Sequence, residues 1–175
     1  SGAAFFLFLH DDVALAPDVV QVLVEEAFRS NAGVVDPKLV DWDDPGRLLQ
    51  VGMAADKAGS PSGVVEPGEL DQEQHDAVRD VFFVPSAELL VRADLFEAIG
   101  GFDDAITFHG EDLDLCWRAA VAGARVLVVP DAVARHREAL SERRPDLPSR
   151  RLRLRHQLRS VLCDYGRIHR LRVIP

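Results

Sequence analysis

The sequence predicts an α/β fold, a sheet flanked by helices. Three observations carry that expectation. Phe5–Leu9 is an unbroken apolar run that stops at His10; that length without alternation suits a strand covered on both faces, as in a parallel sheet. Val20, Leu23, Val24, Ala27 and Phe28 then recur at the spacing of one buried helix face, and Val34–Val40 reads as the next strand. Strand, helix, strand is a crossover unit. Further along, Glu111–Ala122 is a clear helix, and the apolar strand Arg125–Val129 follows it.

The remaining elements follow in order. Pro17 suits the first turn of the first helix, and Asn31 to Gly33 closes it. Asp41 to Asp80 is rich in Gly, Pro, Asp and Glu, with a short strand at Leu48–Met53 and a turn-rich "DKAGSPSG". It reads as a long surface excursion, mobile in part. Val81–Val84 and Ala87–Val91 read as short strands, and Asp94–Ile99 as a short helix stopped by Gly100 and Gly101. A last helix runs from Pro148 to about Arg170, with Leu154, Leu158, Val161, Leu162, Tyr165 and Ile168 on one face. The division expected is a domain over 1–147 and a basic amphipathic helix over 148–175.

Charge is unevenly placed. The chain has 175 residues and a net charge of −9, yet residues 135–175 hold 12 arginines against 4 acids. That distribution argues against a nucleic-acid footprint over the whole chain. The basic tail either meets an anionic surface or forms a solvated helix face. Cys116 and Cys163 form neither a disulfide framework nor a metal spacing and read as reduced, intracellular side chains. No apolar run is long enough to span a membrane. A buried-type strand starting at Phe5 needs neighbours, so the chain is expected to be a piece of a longer protein whose preceding strands are missing.

Two acidic clusters carry the chemistry. His10, Asp11 and Asp12 follow the first strand, where open α/β sheets bind ligands. Adjacent carboxylates repel unless a cation or donor offsets them, so they suit Mg²⁺ or Mn²⁺ on a diphosphate; a solvated helix-entry loop is the other reading. In "GGFDDAITFHGEDLDLCWRAAVAG" the helical wheel places Leu113, Cys116, Trp117 and Ala120 on a buried stripe. Glu111, Asp114 and Arg118 lie opposite, with Asp114 and Arg118 at pairing distance. Asp112 falls on the border, where desolvation would suit a general base and the helix N-terminus would oppose that shift. Glu111 and Asp112 could equally be ordinary first-turn acids. His136, beyond the Arg125–Val129 strand, could supply a nitrogen ligand or lie on the surface.

These motifs in this order, "FLFLHDDV" and then "LLVRADLFEAIGGFDDAITFHGEDLDLCWRAAVAGARVLVVPDAVARH", resemble the family 2 glycosyltransferases with a GT-A-like fold. The resemblance covers residues 5–136. It implies a mixed sheet flanked by helices, here lacking the N-terminal nucleotide-binding half. It implies metal ligation by Asp12, Asp11 and His136, with His10 standing where the family often has its first Asp. It implies catalysis by Asp112 with Glu111 beside it. Asp11, Asp12, Trp117 and Arg118 fall on the donor-diphosphate side, and Gly100, Gly101 and His109 on the acceptor side. The implied reaction is inverting transfer of a sugar from a nucleotide-sugar donor to a glycan or lipid-linked acceptor, with Mg²⁺ or Mn²⁺. The implied place is the cytoplasmic face of a cell membrane, with the basic tail at an anionic surface. A non-catalytic module that keeps the fold is the alternative. A phosphohydrolase using Asp11 and Asp12 finds no further carboxylate at short spacing.

Overall fold

The structure is a computed structural model that describes residues 2–143, 146, 149–166, 168 and 170. The chain runs β1 (Phe5–Leu9), β2 (Val13–Leu15), α1 (Val19–Ser30), β3 (Ala32–Asp41), β4 (Leu48–Gln50), β5 (Met53–Ala55), β6 (Pro61–Gly63), β7 (Arg79–Asp80), β8 (Glu88–Arg92), α2 (Ala93–Ala98), α3 (Glu111–Val121), β9 (Arg125–His136), α4 (Leu140–Arg143) and α5 (Ser149–Asp164). One sheet has the order β1-β8-β3-β9-β2, with β4 added beside β3 and β7 beside β9; β5 and β6 form a separate hairpin. β3 and β9 run parallel, and the other pairings are antiparallel. The sheet is therefore mixed.

Burial follows the pleat. Val34, Leu89, Val91 and Val126 face α3, where they meet Leu113, Cys116 and Trp117. Val35, Leu90, Leu127 and Val129 face α1, against Val19, Leu23 and Ala27. Two layers of helix thus sandwich one sheet.

Several sequence expectations need correction. β1 is an edge strand, antiparallel to β8, and not an interior parallel strand. Its pleat is asymmetric: Phe6 and Phe8 pack on Phe96 of α2, while Leu7 and Leu9 stay exposed. Among the described residues, its outer edge has no strand beside it. Leu48–Met53 is split between β4 and β5 at Gly52. Val81–Val84 is not a continuous strand; Phe83 makes one isolated bridge, to Met53, and the regular pairing lies earlier, at β7. On α3, Ala120 is exposed and Ala119 buried, and Asp114 lies inside. The reason is a second cover: α5 packs on α3 beside the sheet, so α3 is enclosed on two sides. Asp114 meets Arg118 there at 2.5 Å.

α5 also departs from the single apolar face expected of it. Val161, His156 and Ser160 turn inward, whereas Leu154, Leu158 and Leu162 are about half exposed and Ile168 is exposed. Pro148, Arg167 and Arg172, assigned to this helix from the sequence, lie outside the described residues.

The 41–80 excursion is tied to the sheet by charge. Lys38, buried on β3, donates to Asp71 at 2.8 Å and Asp76 at 2.6 Å.

Candidate active site

The carboxyl end of β1 and the far end of β9 meet. β2 makes that happen: it pairs with β9 so that Val13 lies opposite His136. The Arg137 amide then donates to the Asp12 carbonyl, and the His10 amide to the Ala87 carbonyl. His10, Asp12 and His136 each bring a ligand atom to within 4.8 Å of the others. The His10 and His136 rings lie 5.7 Å apart, and His136 Nε2 is 3.4 Å from Asp12 Oδ1.

The two aspartates have different surroundings. Asp11 is exposed, and Arg143 Nη1 donates to both of its oxygens at 2.8 Å. That hydrogen bond and charge hold the Asp11 carboxyl below its ordinary range. Asp12 points inward. Burial alone would raise it, but the Ala139 amide, His136 and Arg143 together outweigh burial and hold it low. Its Oδ1 is buried without a hydrogen-bond donor among the described residues. Burial lowers the His136 pKa, which favours the neutral imidazole that ligates metal.

An inward carboxylate oxygen with no donor, flanked by two imidazoles, fits a divalent cation. Two imidazoles and one carboxylate make a mixed nitrogen and oxygen donor set for such an ion. Asp11, assigned to the metal from the sequence, is not brought into this group, because Arg143 holds it outward.

The second cluster opens α3. Glu111 Oε1 accepts the Ser86 hydroxyl at 2.9 Å, and Glu111 Oε2 is buried without a partner among the described residues. Asp112 Oδ1 accepts the Leu113 amide at 2.7 Å. Desolvation first, and the Glu111 charge second, push the Asp112 carboxyl up to about 6, against the Leu113 and Ser86 amides. The desolvation expected at a border position therefore outweighs the helix terminus.

Ser86 joins the two clusters. Its hydroxyl lies 3.4 Å from His10 Nε2, and its backbone N–H reaches Asp112. Neither Ser86 nor Arg143 was legible as a site residue, since each acts across more than 20 residues of chain. His10 carried a signal, as the departure from the family's motif.

The other sequence candidates lie elsewhere. Trp117 is core, edge-on to Phe82 and Tyr165 at 5.3 and 4.7 Å. Arg118 is locked between Asp114 and the Ile99 carbonyl. The structure brings neither to the two clusters. Gly100 and Gly101 close α2 with positive φ, and a Cβ on Gly101 would meet the Phe96 ring at 3.2 Å. His109 precedes the acids in a left-handed conformation, its Nε2 buried without a partner among the described residues.

A family model described as glycosyl transferase family group 2 matches residues 5–158. The chain belongs to that family. It is 47% identical over 57 residues, 32% of the chain, to a pre-mycofactocin glycosyltransferase of Mycobacterium tuberculosis, covering 12% of that protein. It is 28% identical over 148 residues, 81% of the chain, to the O-antigen biosynthesis protein RfbC of Myxococcus xanthus, again 12% of that protein. The chain thus spans under a fifth of the length of the curated relatives it matches. Among solved structures it is similar to GalNAc-T7 with UDP, GalNAc and Mn²⁺, with a TM-score of 0.59 and 16% identity over 76% of this chain and 27% of that one. The fold is GT-A-like, a glycosyltransferase fold.

Proposed function

We propose that this chain is the metal and acceptor side of an inverting glycosyltransferase that uses a nucleotide-sugar donor and Mn²⁺. The observation that carries this reading is the link through Ser86 between the His10–Asp12–His136 group and a carboxyl poised near neutrality, Asp112. A cation held by the first group would neutralise charge on the departing nucleoside diphosphate. Asp112 accepts the proton of the acceptor hydroxyl as its oxygen bonds to the anomeric carbon. The bond from that carbon to the diphosphate breaks on the opposite face, so configuration inverts. Glu111, held by Ser86, lies beside Asp112, and its charge helps to raise the Asp112 pKa.

We assign the nucleotide base and ribose to an upstream half and the acceptor to a glycan or lipid-linked glycan of envelope or polysaccharide synthesis. The half-exposed Leu154, Leu158 and Leu162 lie among Arg151, Arg155 and Arg159 along α5. This face suits an anionic membrane surface on the cytoplasmic side, at about 1 kcal/mol per arginine. Among the described residues no helix is long and apolar enough to cross a membrane.

A second reading, a non-catalytic module, is favoured by the hold of Arg143 on both Asp11 and Asp12. The test is transfer by the full-length protein from a panel of sugar nucleotides. Transfer that needs Mn²⁺ and stops with a chelator supports the enzyme. Binding of Mn²⁺ and nucleotide without transfer supports the module. The 175-residue chain alone is expected to give no transfer, because the remote binding energy that positions the donor is missing.

A further inference from the structure

α5 reaches the candidate base through one buried side chain. His156 is 1% exposed, and its Nδ1 lies 2.7 Å from the His109 carbonyl oxygen. A carbonyl only accepts, so Nδ1 carries the hydrogen. Nε2 is buried without a partner among the described residues. A buried imidazole on an arginine-rich helix is not explained by packing alone, since an aliphatic side chain would fill the same volume without stranding a nitrogen.

The carbonyl it holds belongs to an uncommon piece of backbone. His109 has φ +61 and Gly110 φ +95, two left-handed residues in succession. The left-handed region costs a residue with a Cβ about 1–2 kcal/mol. α3 starts directly from this turn: Gly110 is its N-cap, without a side-chain cap, and its carbonyl accepts the Asp114 amide. The contact is close, for a Cβ on Gly110 would lie 3.3 Å from the His156 Cβ. Glu111 and Asp112 are the next two residues, so a rotation at His109 or Gly110 swings both carboxylates.

We infer that His156 is a positioning residue for Asp112, acting through its Nδ1–H on the His109 carbonyl to fix the turn from which the two acids project. The inference rests on the reading of Asp112 as base. It makes α5 part of the active-site scaffold as well as a surface helix. The charged and titratable groups around this corner are Glu111 beside Asp112, Asp36 from β3, Cys116 along α3, His109 in the turn and Arg153 from α5.

The test uses the 175-residue chain. Ring ¹⁵N shifts report the His156 tautomer without any substitution. Nδ1–H is expected, and an Nε2–H tautomer overturns the inference. Carboxyl ¹³C titration then follows Asp112, with Asp112→Asn fixing the assignment. The wild type should titrate at about 6. His156→Phe keeps a ring but has no donor; the loosened turn admits water, and Asp112 should fall by at least about half a unit. His156→Asn puts an amide N–H near the Nδ1 position and should restore the wild-type value. Equal shifts in both variants, or a lowered melting temperature in His156→Phe with Asp112 unmoved, would reduce His156 to packing. If His156→Phe does not fold, the tautomer and the Asn variant still decide. Should Asp112 not be the base, turnover of the full-length protein would survive Asp112→Asn while these titrations stand, so the two failures are separable.

Discussion

Asp11–Asp12 and Glu111–Asp112 are both adjacent acid pairs at the end of an element, and the fold treats them oppositely. The first pair is met by a cation, Arg143, which spans both carboxylates, and the His136 imidazole lies against Asp12. Both stay low and ionised. The second pair receives a hydroxyl and amides, and Asp112 rises to about 6. The difference teaches that adjacency in sequence does not set protonation. What sets it is whether a cation or a desolvating wall closes on the pair, and that depends on residues far along the chain. It also sorts the roles: a low carboxylate suits a metal, and a raised one suits proton transfer.

The comparison breaks most visibly if the raised member is removed. Asp112→Asn should lower turnover of the full-length protein by at least about 100-fold while nucleotide binding persists. In the wild type, turnover should rise with pH through about 6, because the base works unprotonated. The sign for stability is the reverse. The folded carboxyl titrates above its unfolded value of 3.8, so its contribution is greatest at acid pH and declines as pH rises from about 4 to about 6. Near-normal turnover in Asp112→Asn would move the base to Glu111.

On the metal side, calorimetry with Mn²⁺ and a nucleoside diphosphate should separate the two aspartates. Asp12→Ala should abolish metal-dependent binding, and His10→Ala should weaken it by at least about tenfold. Asp11→Ala should leave it within about threefold, since Asp11 makes only an exposed ion pair. Equal losses at Asp11 and Asp12 would return Asp11 to the ligand set and remove the distinction drawn between them.

A third group sharpens the contrast because no cation pairs with it among the described residues. Asp36 and Glu88 are fully buried, with all four carboxyl oxygens lacking a partner among the described residues. Desolvation pushes Glu88 up to about 8. A folded value above the unfolded one means stability is lost as pH rises from about 4.5 to about 8. Glu88→Gln should therefore be more stable to unfolding than the wild type at pH 8–9, by on the order of a few kcal/mol, and show little advantage near pH 4. A pH-independent difference would mean that Glu88 is not the titrating group.

The legible and illegible parts divide along physical lines. α1, α2 and α3 were readable because local signals define them: apolar periodicity, the glycines that end α2, and the acids of the first turn of α3. β9 was read too short, since Pro130 and Asp131 look like a strand exit. The register shift against β3, between Pro37 and Lys38, takes up Pro130 to Ala132 as an irregularity and lets the strand run on to His136. That extension, with β2, builds the His10–Asp12–His136 group, so the candidate metal site could be suspected but its members could not be fixed. On α5 the leucine spacing suggested one apolar face, set at an anionic membrane surface or packed on the domain. The structure turns His156 and Ser160 inward: His156 Nδ1 meets the His109 carbonyl in the turn before α3, and the Ser160 hydroxyl donates to the His156 carbonyl.

The smallest effect tests that last point. Val161 and Leu158 lie on the same helix with unlike surroundings: Val161 is 2% exposed in the α3 core cluster, and Leu158 is 50% exposed. Val161→Ala should destabilise by about 1–3 kcal/mol through lost burial and a cavity. Leu158→Ala should stay within about 0.5 kcal/mol, as surface substitutions usually do. Because Leu158 contributes little to the fold, its apolar surface is free for another use. Flotation with vesicles containing anionic lipid at low and high salt measures that use. Binding at low salt that weakens in Leu158→Ala and fades with salt is expected if α5 meets a membrane surface, since exposed arginines are screened beyond about 10 Å at 0.1 M salt. No binding at low salt, with Leu158→Ala as stable as the wild type, would leave the leucine stripe to a protein partner.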